Sequence, residues 1–286
     1  MKNIKKMITV CVLCVSFVIS AQEKGDVENS VLWKIEHPDL KQSSYLFGTL
    51  HMICEDEFSI PEKVLNSLNN VDELVLEVNL SDSEEMIALQ KEMIKGNKIS
   101  EDLTAKQFSD LDAFIQKVMG LPLQNFDAYG ISTLYSMMTS KMLSCTNIKF
   151  MEIELAQIAA KKNVKVVALE KVSEQFGYIK MAYPPLECYR LIFLFEEYKE
   201  DFNKAVRLYK QEDITETTRL ISQDKYMNAH SRRYLLENRN INWVEKMAVM
   251  MKEKSNLFAV GAAHLTSKDG LIQLLKEKGY IVTPVL

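Results

Sequence analysis

Histidine and cysteine are scarce in this chain and clusters of basic residues are missing; each shortage excludes something. Of five cysteines, Cys11 and Cys14 fall in an apolar leader, which leaves Cys54, Cys145 and Cys188. Three cysteines are too few for a disulfide scaffold, and an odd number leaves at least one thiol out of any bridge. Cys188 sits in an apolar helical pattern and reads as a buried thiol, so an oxidising compartment leaves Cys54–Cys145 as the pair. Gly-x-Ser-x-Gly, His-Glu-x-x-His and P-loop patterns are all absent, which removes support from a serine-hydrolase elbow, a zincin and a P-loop enzyme. No Pro/Ser-rich linker or low-complexity tract marks a domain boundary, so one domain is expected over 22–286.

Residues 1–21 read as an export signal rather than as part of the fold. Lys2, Lys5 and Lys6 precede the apolar stretch Met7 to Ile19, and Ser20-Ala21 offers a small-residue cleavage site before Gln22. An uncleaved anchor is the alternative, but the apolar run is short for a membrane span. The leader holds three of the 35 basic and none of the 39 acidic residues, so its removal moves the net charge from −4 to −7. A mature chain this acidic argues against nucleic acid as a partner. No later segment is apolar enough over sufficient length to cross a bilayer, and the expected location is periplasmic or secreted.

Short runs rich in Val, Ile, Leu, Tyr or Phe read as strands at Val31–Glu36, Tyr45–Leu50, Glu73–Val78, Val164–Leu169, Leu257–Gly261 and Tyr280–Val285. Between them, about 81–162 and 171–254 are helical patterns rich in Met and aromatics, a composition that fits an adaptable core. Ser81-x-x-Glu84 and Thr104-x-x-Gln107 have capping-box spacing, Ser59-Ile-Pro-Glu62 opens a further helix, and Gly120 and Gly279 are natural helix ends. The expected fold is α/β (α+β): a mixed central β-sheet built from both chain ends, with large helical insertions layered over it.

Two of the four histidines share one local frame. Tyr45-Leu-Phe-Gly-Thr-Leu-His-Met and Phe258-Ala-Val-Gly-Ala-Ala-His-Leu each run from apolar strand through Gly to His three residues on. Gly48 and Gly261 permit unusual dihedrals or close backbone approach. His51 and His264 are then carried at carboxyl ends of strands, where open α/β sheets bind ligands. Glu77 and Glu170 also follow strands, and two readings of them stand side by side. In one, Glu77 faces solvent from an edge strand and Glu170 caps a helix. In the other, both carboxylates reach the sheet end that carries the histidines. Two imidazoles with one or two carboxylates make a divalent-metal site with open positions. The run Glu55-Asp56-Glu57 reads as a solvated face, His37 as a surface turn and His230 as a surface helical histidine.

These motifs resemble the TraB/PrgY/GumN family, to which the Tiki-type membrane proteases belong. The resemblance rests on Leu32-Trp-Lys-Ile-Glu, the first Gly-x-x-His motif, Val71-Asp-Glu-Leu-Val-Leu-Glu-Val-Asn, and Glu152-x-x-Leu155-x-x-x-Ala159. It continues through Val167-Ala-Leu-Glu170 with Glu174-Gln175, Arg239-Asn240, the second Gly-x-x-His motif and Gly279-Tyr-Ile-Val-Thr-Pro. It implies two Gly-x-x-His turns converging on one pocket and, in some members, metal-dependent peptide hydrolysis. Other members are described through pheromone control or polysaccharide gene clusters. Asn79 stands where an aspartate is common in the family, and Glu152 where an aspartate often sits.

The roles expected from these residues are therefore His51, Glu77 and His264 as ligands of a divalent ion (manganese, cobalt or zinc). Glu170 is the candidate general base, Arg239 the oxyanion stabiliser with Asn240 supporting it, and Gly48, Gly261 and Glu152 shape the site. Which glutamate ligates and which acts as base stays open. The expected substrate is a peptide or protein. The competing class is an exported protein that binds a peptide or small ligand in the same pocket without turnover.

Overall fold

The computed structural model describes residues 28–286. The leader and its cleavage site at Ala21/Gln22 lie outside the described residues. In chain order the elements are β1 (Leu32–Glu36), β2 (Ser44–Thr49), β3 (Met52–Cys54), α1 (Glu62–Leu68) and β4 (Glu73–Leu76). A helical stretch follows with α2 (Ser83–Met93), α3 (Ile99–Asp102), α4 (Ala105–Met119) and α5 (Ile131–Thr139), then β5 (Ile148–Phe150), α6 (Met151–Lys161) and β6 (Lys165–Ala168). A second helical stretch holds α7 (Val172–Ala182), α8 (Pro185–Ile192), α9 (Phe195–Lys210), α10 (Ile214–Ile221), α11 (Ala229–Arg232), a π-helical turn (Arg233–Glu237) and α12 (Asn238–Glu253). The chain closes with β7 (Asn256–Gly261), α13 (Leu271–Glu277) and β8 (Ile281–Pro284).

The main sheet has the order β6-β4-β7-β2-β1-β8. Its four strands β6, β4, β7 and β2 run parallel, and β1 is antiparallel to both β2 and β8. The last third of the chain thus returns to place β7 between β4 and β2, two strands from its first third. Every residue of β4 and β7 is buried, as expected of parallel strands covered on both faces. The edge strand β8 alternates exposed and buried residues instead. Leu74, Val75, Leu257, Phe258, Leu46 and Phe47 lie at the centre of one continuous hydrophobic core.

Local signals explain most element boundaries. Thr104 and Gln107 form the reciprocal capping box of α4, whose buried Leu111 and Ile115 lie one helical turn apart. Gly120 ends α4 at φ 73°, and Gly279 follows α13 at φ 91°, both in the left-handed region. Two starts differ from the sequence reading. Asp82, not Ser81, caps α2, because its carboxylate reaches the Glu84 N–H two residues on. Pro61 is itself the N-cap of α1, so Ser59 lies outside that helix.

The two-stranded β3–β5 ribbon was not legible from composition. Each strand has only three residues, and the pairing spans a long sequence separation. Cys54 and Cys145 are joined by a disulfide with Cα atoms 5.8 Å apart, tying this ribbon to the end of the first helical stretch. Cys188 is a buried free thiol. Among the described residues no helix is long and apolar enough to cross a membrane.

Candidate active site at the carboxyl ends of the parallel strands

The four parallel strands all point their carboxyl ends the same way, and each delivers one polar side chain within two or three residues of its end. His51 follows β2, Glu77 follows β4, Glu170 follows β6, and His264 closes the 3₁₀ turn Ala262–His264 after β7. The β2–β7 register pairs Thr49 with Gly261, so the two Gly-x-x-His motifs lie side by side, staggered by one residue. Glu77 leaves an interior strand rather than an edge, and both it and Glu170 are buried.

Gly261 explains why the second motif needs glycine. Its φ of −53° is open to any residue, but a Cβ there would lie 2.9 Å from His51 Nε2 and 3.3 Å from Glu77 Oε1. Close approach, not unusual dihedrals, is the reason. At Gly48 a Cβ would meet Ile214 Cδ1 at 2.9 Å and Leu265 Cδ2 at 3.0 Å, and the Tyr209 hydroxyl donates to the Gly48 carbonyl at 2.7 Å.

Arg239 is the hub. Its Nη2 donates to Glu77 Oε2 at 2.5 Å and to Glu170 Oε1 at 2.7 Å. Its Nε faces both Glu170 oxygens at 3.2 and 3.3 Å, and Nη1 donates to the Leu235 carbonyl at 2.9 Å and to His264 Nε2 at 3.1 Å. All five N–H bonds are engaged. The guanidinium also stacks on Trp243, 4.4 Å from the ring centre. Gln175 adds a donor to each carboxylate, at 3.2 Å to Glu77 and 3.1 Å to Glu170, and the Trp243 indole donates to Glu170 Oε2.

An arginine can only donate, so His264 Nε2 accepts and the ring proton sits on Nδ1. That Nδ1 donates to Asn240 Oδ1 at 2.6 Å, while the Asn240 amide donates to the Asp269 carbonyl at 2.8 Å. The His264 ring also packs on Trp243, with ring centres 4.4 Å apart. Burial first, then the Arg239 charge, lower the His264 pKa to about 3, and the ring is neutral. Burial alone would raise Glu77, but Arg239, the two imidazoles and the Gly261 N–H at 2.7 Å outweigh it and hold the carboxyl well below the usual range. At Glu170 burial wins over Arg239 and the pKa is raised.

His51 differs from this buried cluster. Its side chain is 59% exposed, and Nδ1 lies 2.7 Å from Glu152 Oε1, which also accepts the Thr49 hydroxyl at 2.5 Å. Nε2 has no partner among the described residues. The Glu152 charge, assisted by its hydrogen bond, raises the His51 pKa to about 9.

The structure therefore brings together His51, Glu77, Glu152, Glu170, Arg239, Asn240 and His264, with Gly48 and Gly261 beneath them. Their engagement differs from the expected roles. Glu170 has its lone pairs taken by Arg239, Trp243 and Gln175, and neither Arg239 nor Asn240 has an N–H left for a substrate oxygen. The donor set has the chemistry of a divalent-metal site, but its arrangement does not fit one. His264 Nε2 and Glu77 Oε2 both face the guanidinium, and among the described residues no group of three or more His, Cys, Asp or Glu side chains is disposed to hold a metal ion. Elsewhere, His37 forms a surface turn with Asp39, His230 contacts the Met181 carbonyl, and Glu55 and Glu57 pair with Lys149 and Lys210. Asn79 caps its own turn through Ser81.

Sequence reasoning missed Trp243 as part of the cluster and gave Gln175 no role. A signal existed for the first: Arg239, Asn240 and Trp243 fall at i, i+1 and i+4 of one helix, a spacing that puts all three on one side. The π-helical turn just before α12 escapes sequence reading, and the carbonyl of its Leu235 accepts from Arg239.

Comparison with known proteins agrees with the family resemblance. The profile of the TraB/PrgY/gumN family matches residues 31–284. The chain is 23% identical over 248 residues to the uncharacterized protein YbaP of Shigella flexneri, covering 82% of this chain and 88% of that protein. It is also 23% identical over 247 residues to the uncharacterized protein YbaP of Escherichia coli (strain K12), covering 81% and 87%. No solved structure matches.

Proposed function

The chain belongs to the TraB/PrgY/gumN family, and from that premise we propose that it is an exported hydrolase acting on peptide bonds, with His51 as the group that moves the proton. One observation carries the reading: an exposed imidazole held through Nδ1 by a carboxylate, with Nε2 unengaged, at the sheet end where α/β folds bind ligands. In its neutral form His51 Nε2 accepts a proton from water as the oxygen attacks the amide carbonyl. Glu152 stabilises the imidazolium so formed and keeps the proton-bearing Nδ1 turned away from substrate. The imidazolium then returns the proton to the leaving amine as the C–N bond breaks. Glu77, Arg239, Glu170 and His264 act beneath as a rigid charged floor.

The competing reading, ligand binding without turnover, is favoured by one feature. A His51 pKa of about 9 keeps the ring cationic near neutrality, suited to holding a peptide carboxylate. A quenched peptide library separates the two. Mature protein starting at Gln22 should cleave it, with turnover rising toward alkaline pH and abolished in His51→Asn. Binding without cleavage at any pH, with or without added manganese, cobalt or zinc, would leave the ligand-binding reading. N-terminal sequencing of periplasmic or secreted material, expected to begin at or near Gln22, tests the export.

A further inference from the structure

We infer that the guanidinium of Arg239 is the resident cation of this centre, standing where a divalent ion would stand in a cluster of the same donors. The chain would then bind no metal there until the guanidinium is removed. The inference concerns what fills the buried floor and does not depend on the hydrolase reading.

The geometry is specific. Glu77 Oε2 and Glu170 Oε1 lie 2.5 and 2.7 Å from Arg239 Nη2, and His264 Nε2 lies 3.1 Å from Nη1. Two carboxylate oxygens and one imidazole nitrogen thus converge on the two terminal nitrogens of a single guanidinium. Oxygen and imidazole nitrogen are the donors that zinc and manganese take. Here the same lone pairs are spent on N–H bonds. Gln175 donates to the same two carboxylate oxygens, Gly261 holds the other oxygen of Glu77, and Asn240 fixes the His264 tautomer that turns its lone pair toward Arg239. Arg239 is itself buried, stacked on Trp243 and tied to the Leu235 carbonyl, so it is built into the wall rather than lying across it. Charge gives the same answer. Two buried carboxylates against one guanidinium leave one negative charge, and a dication added beside Arg239 would be held against a fixed positive group. A dication in place of Arg239 would balance the carboxylates.

The test measures metal content and thermal midpoint, neither of which requires turnover. Wild-type mature protein, equilibrated with zinc, manganese or cobalt and then dialysed, should retain well under one ion per chain. Its midpoint should be the same in metal and in chelator. Arg239→Ala should melt lower than wild type in chelator, retain close to one ion per chain, and regain midpoint when metal is added. The double variant Arg239→Ala/His264→Ala should lose that ion. One tightly held ion per wild-type chain, lost in His264→Ala, would overturn the inference. That wild-type measurement decides the matter even if Arg239→Ala does not fold, and Arg239→Ala that folds yet takes up no metal would also count against it.

Discussion

Replacing Glu152 by Gln tests whether His51 is the proton-moving group and whether Glu152 sets its basicity. Gln keeps an oxygen acceptor near His51 Nδ1 and Thr49 but removes the charge, which is the largest cause of the raised His51 pKa. Without it the imidazole should fall from about 9 toward its ordinary 6.5. The His51 side chain is more than half exposed, so screening limits what the pair adds to stability, to about 0.2–1 kcal/mol. That contribution has a definite sign. A pKa raised on folding stabilises fully below 6.5 and is lost as pH rises through about 9. The assay is a pH titration of the histidine Cε1–H resonances in the mature protein and in Glu152→Gln, alongside kcat/KM on a cleaved peptide. Wild type should titrate near 9, and the rising limb of its activity should fall at the same pH. Both should move acid-ward together by more than one pH unit in the variant. A wild-type His51 that titrates near 6.5, or an activity limb that stays put when the resonance moves, would refute the assignment.

Three further outcomes follow from the same geometry. His264→Ala strands Arg239 Nη1 and Asn240 Oδ1 in the interior, so unfolding should be easier by about 1–3 kcal/mol in denaturant titrations at pH 7. Because His264 is neutral when folded, with its pKa lowered to about 3, its contribution is present above 6.5 and lost as pH falls below that. The wild type should therefore lose stability from pH 7 to 4 more steeply than the variant. Gly261→Ala keeps an allowed backbone but drives a methyl against His51 Nε2; far-ultraviolet circular dichroism should be unchanged while peptide turnover falls at least tenfold. Reducing Cys54–Cys145, which closes a 91-residue separation, should lower stability by roughly 2–5 kcal/mol, read as a fall in thermal midpoint with added reductant.

Period and punctuation sufficed for the sheet and for the type of most elements. Buried parallel strands such as Glu73–Leu76 and Asn256–Gly261 show as short apolar runs behind one polar residue, and Thr104 and Gly120 mark the ends of α4 through chemistry confined to a few residues. The gathering of His51, Glu77, Glu170 and His264 at one end of the sheet was legible for a related reason. Each follows its strand, and once the strands are parallel their ends share a side. What each group binds was not legible, because that depends on contacts between residues far apart in the chain. Nothing local to Arg239 says that Glu77, 162 residues away, and Glu170, 69 residues away, will take its N–H bonds, or that Trp243 will lie under it. Nor does the Gly-x-x-His repeat reveal that one imidazole is buried, neutral and turned toward an arginine while its twin stands exposed and charged beside Glu152. Sequence determined which groups come to the sheet end. Only the packing of α6, α7 and α12 against that end decided which lone pairs are spent there and which remain open.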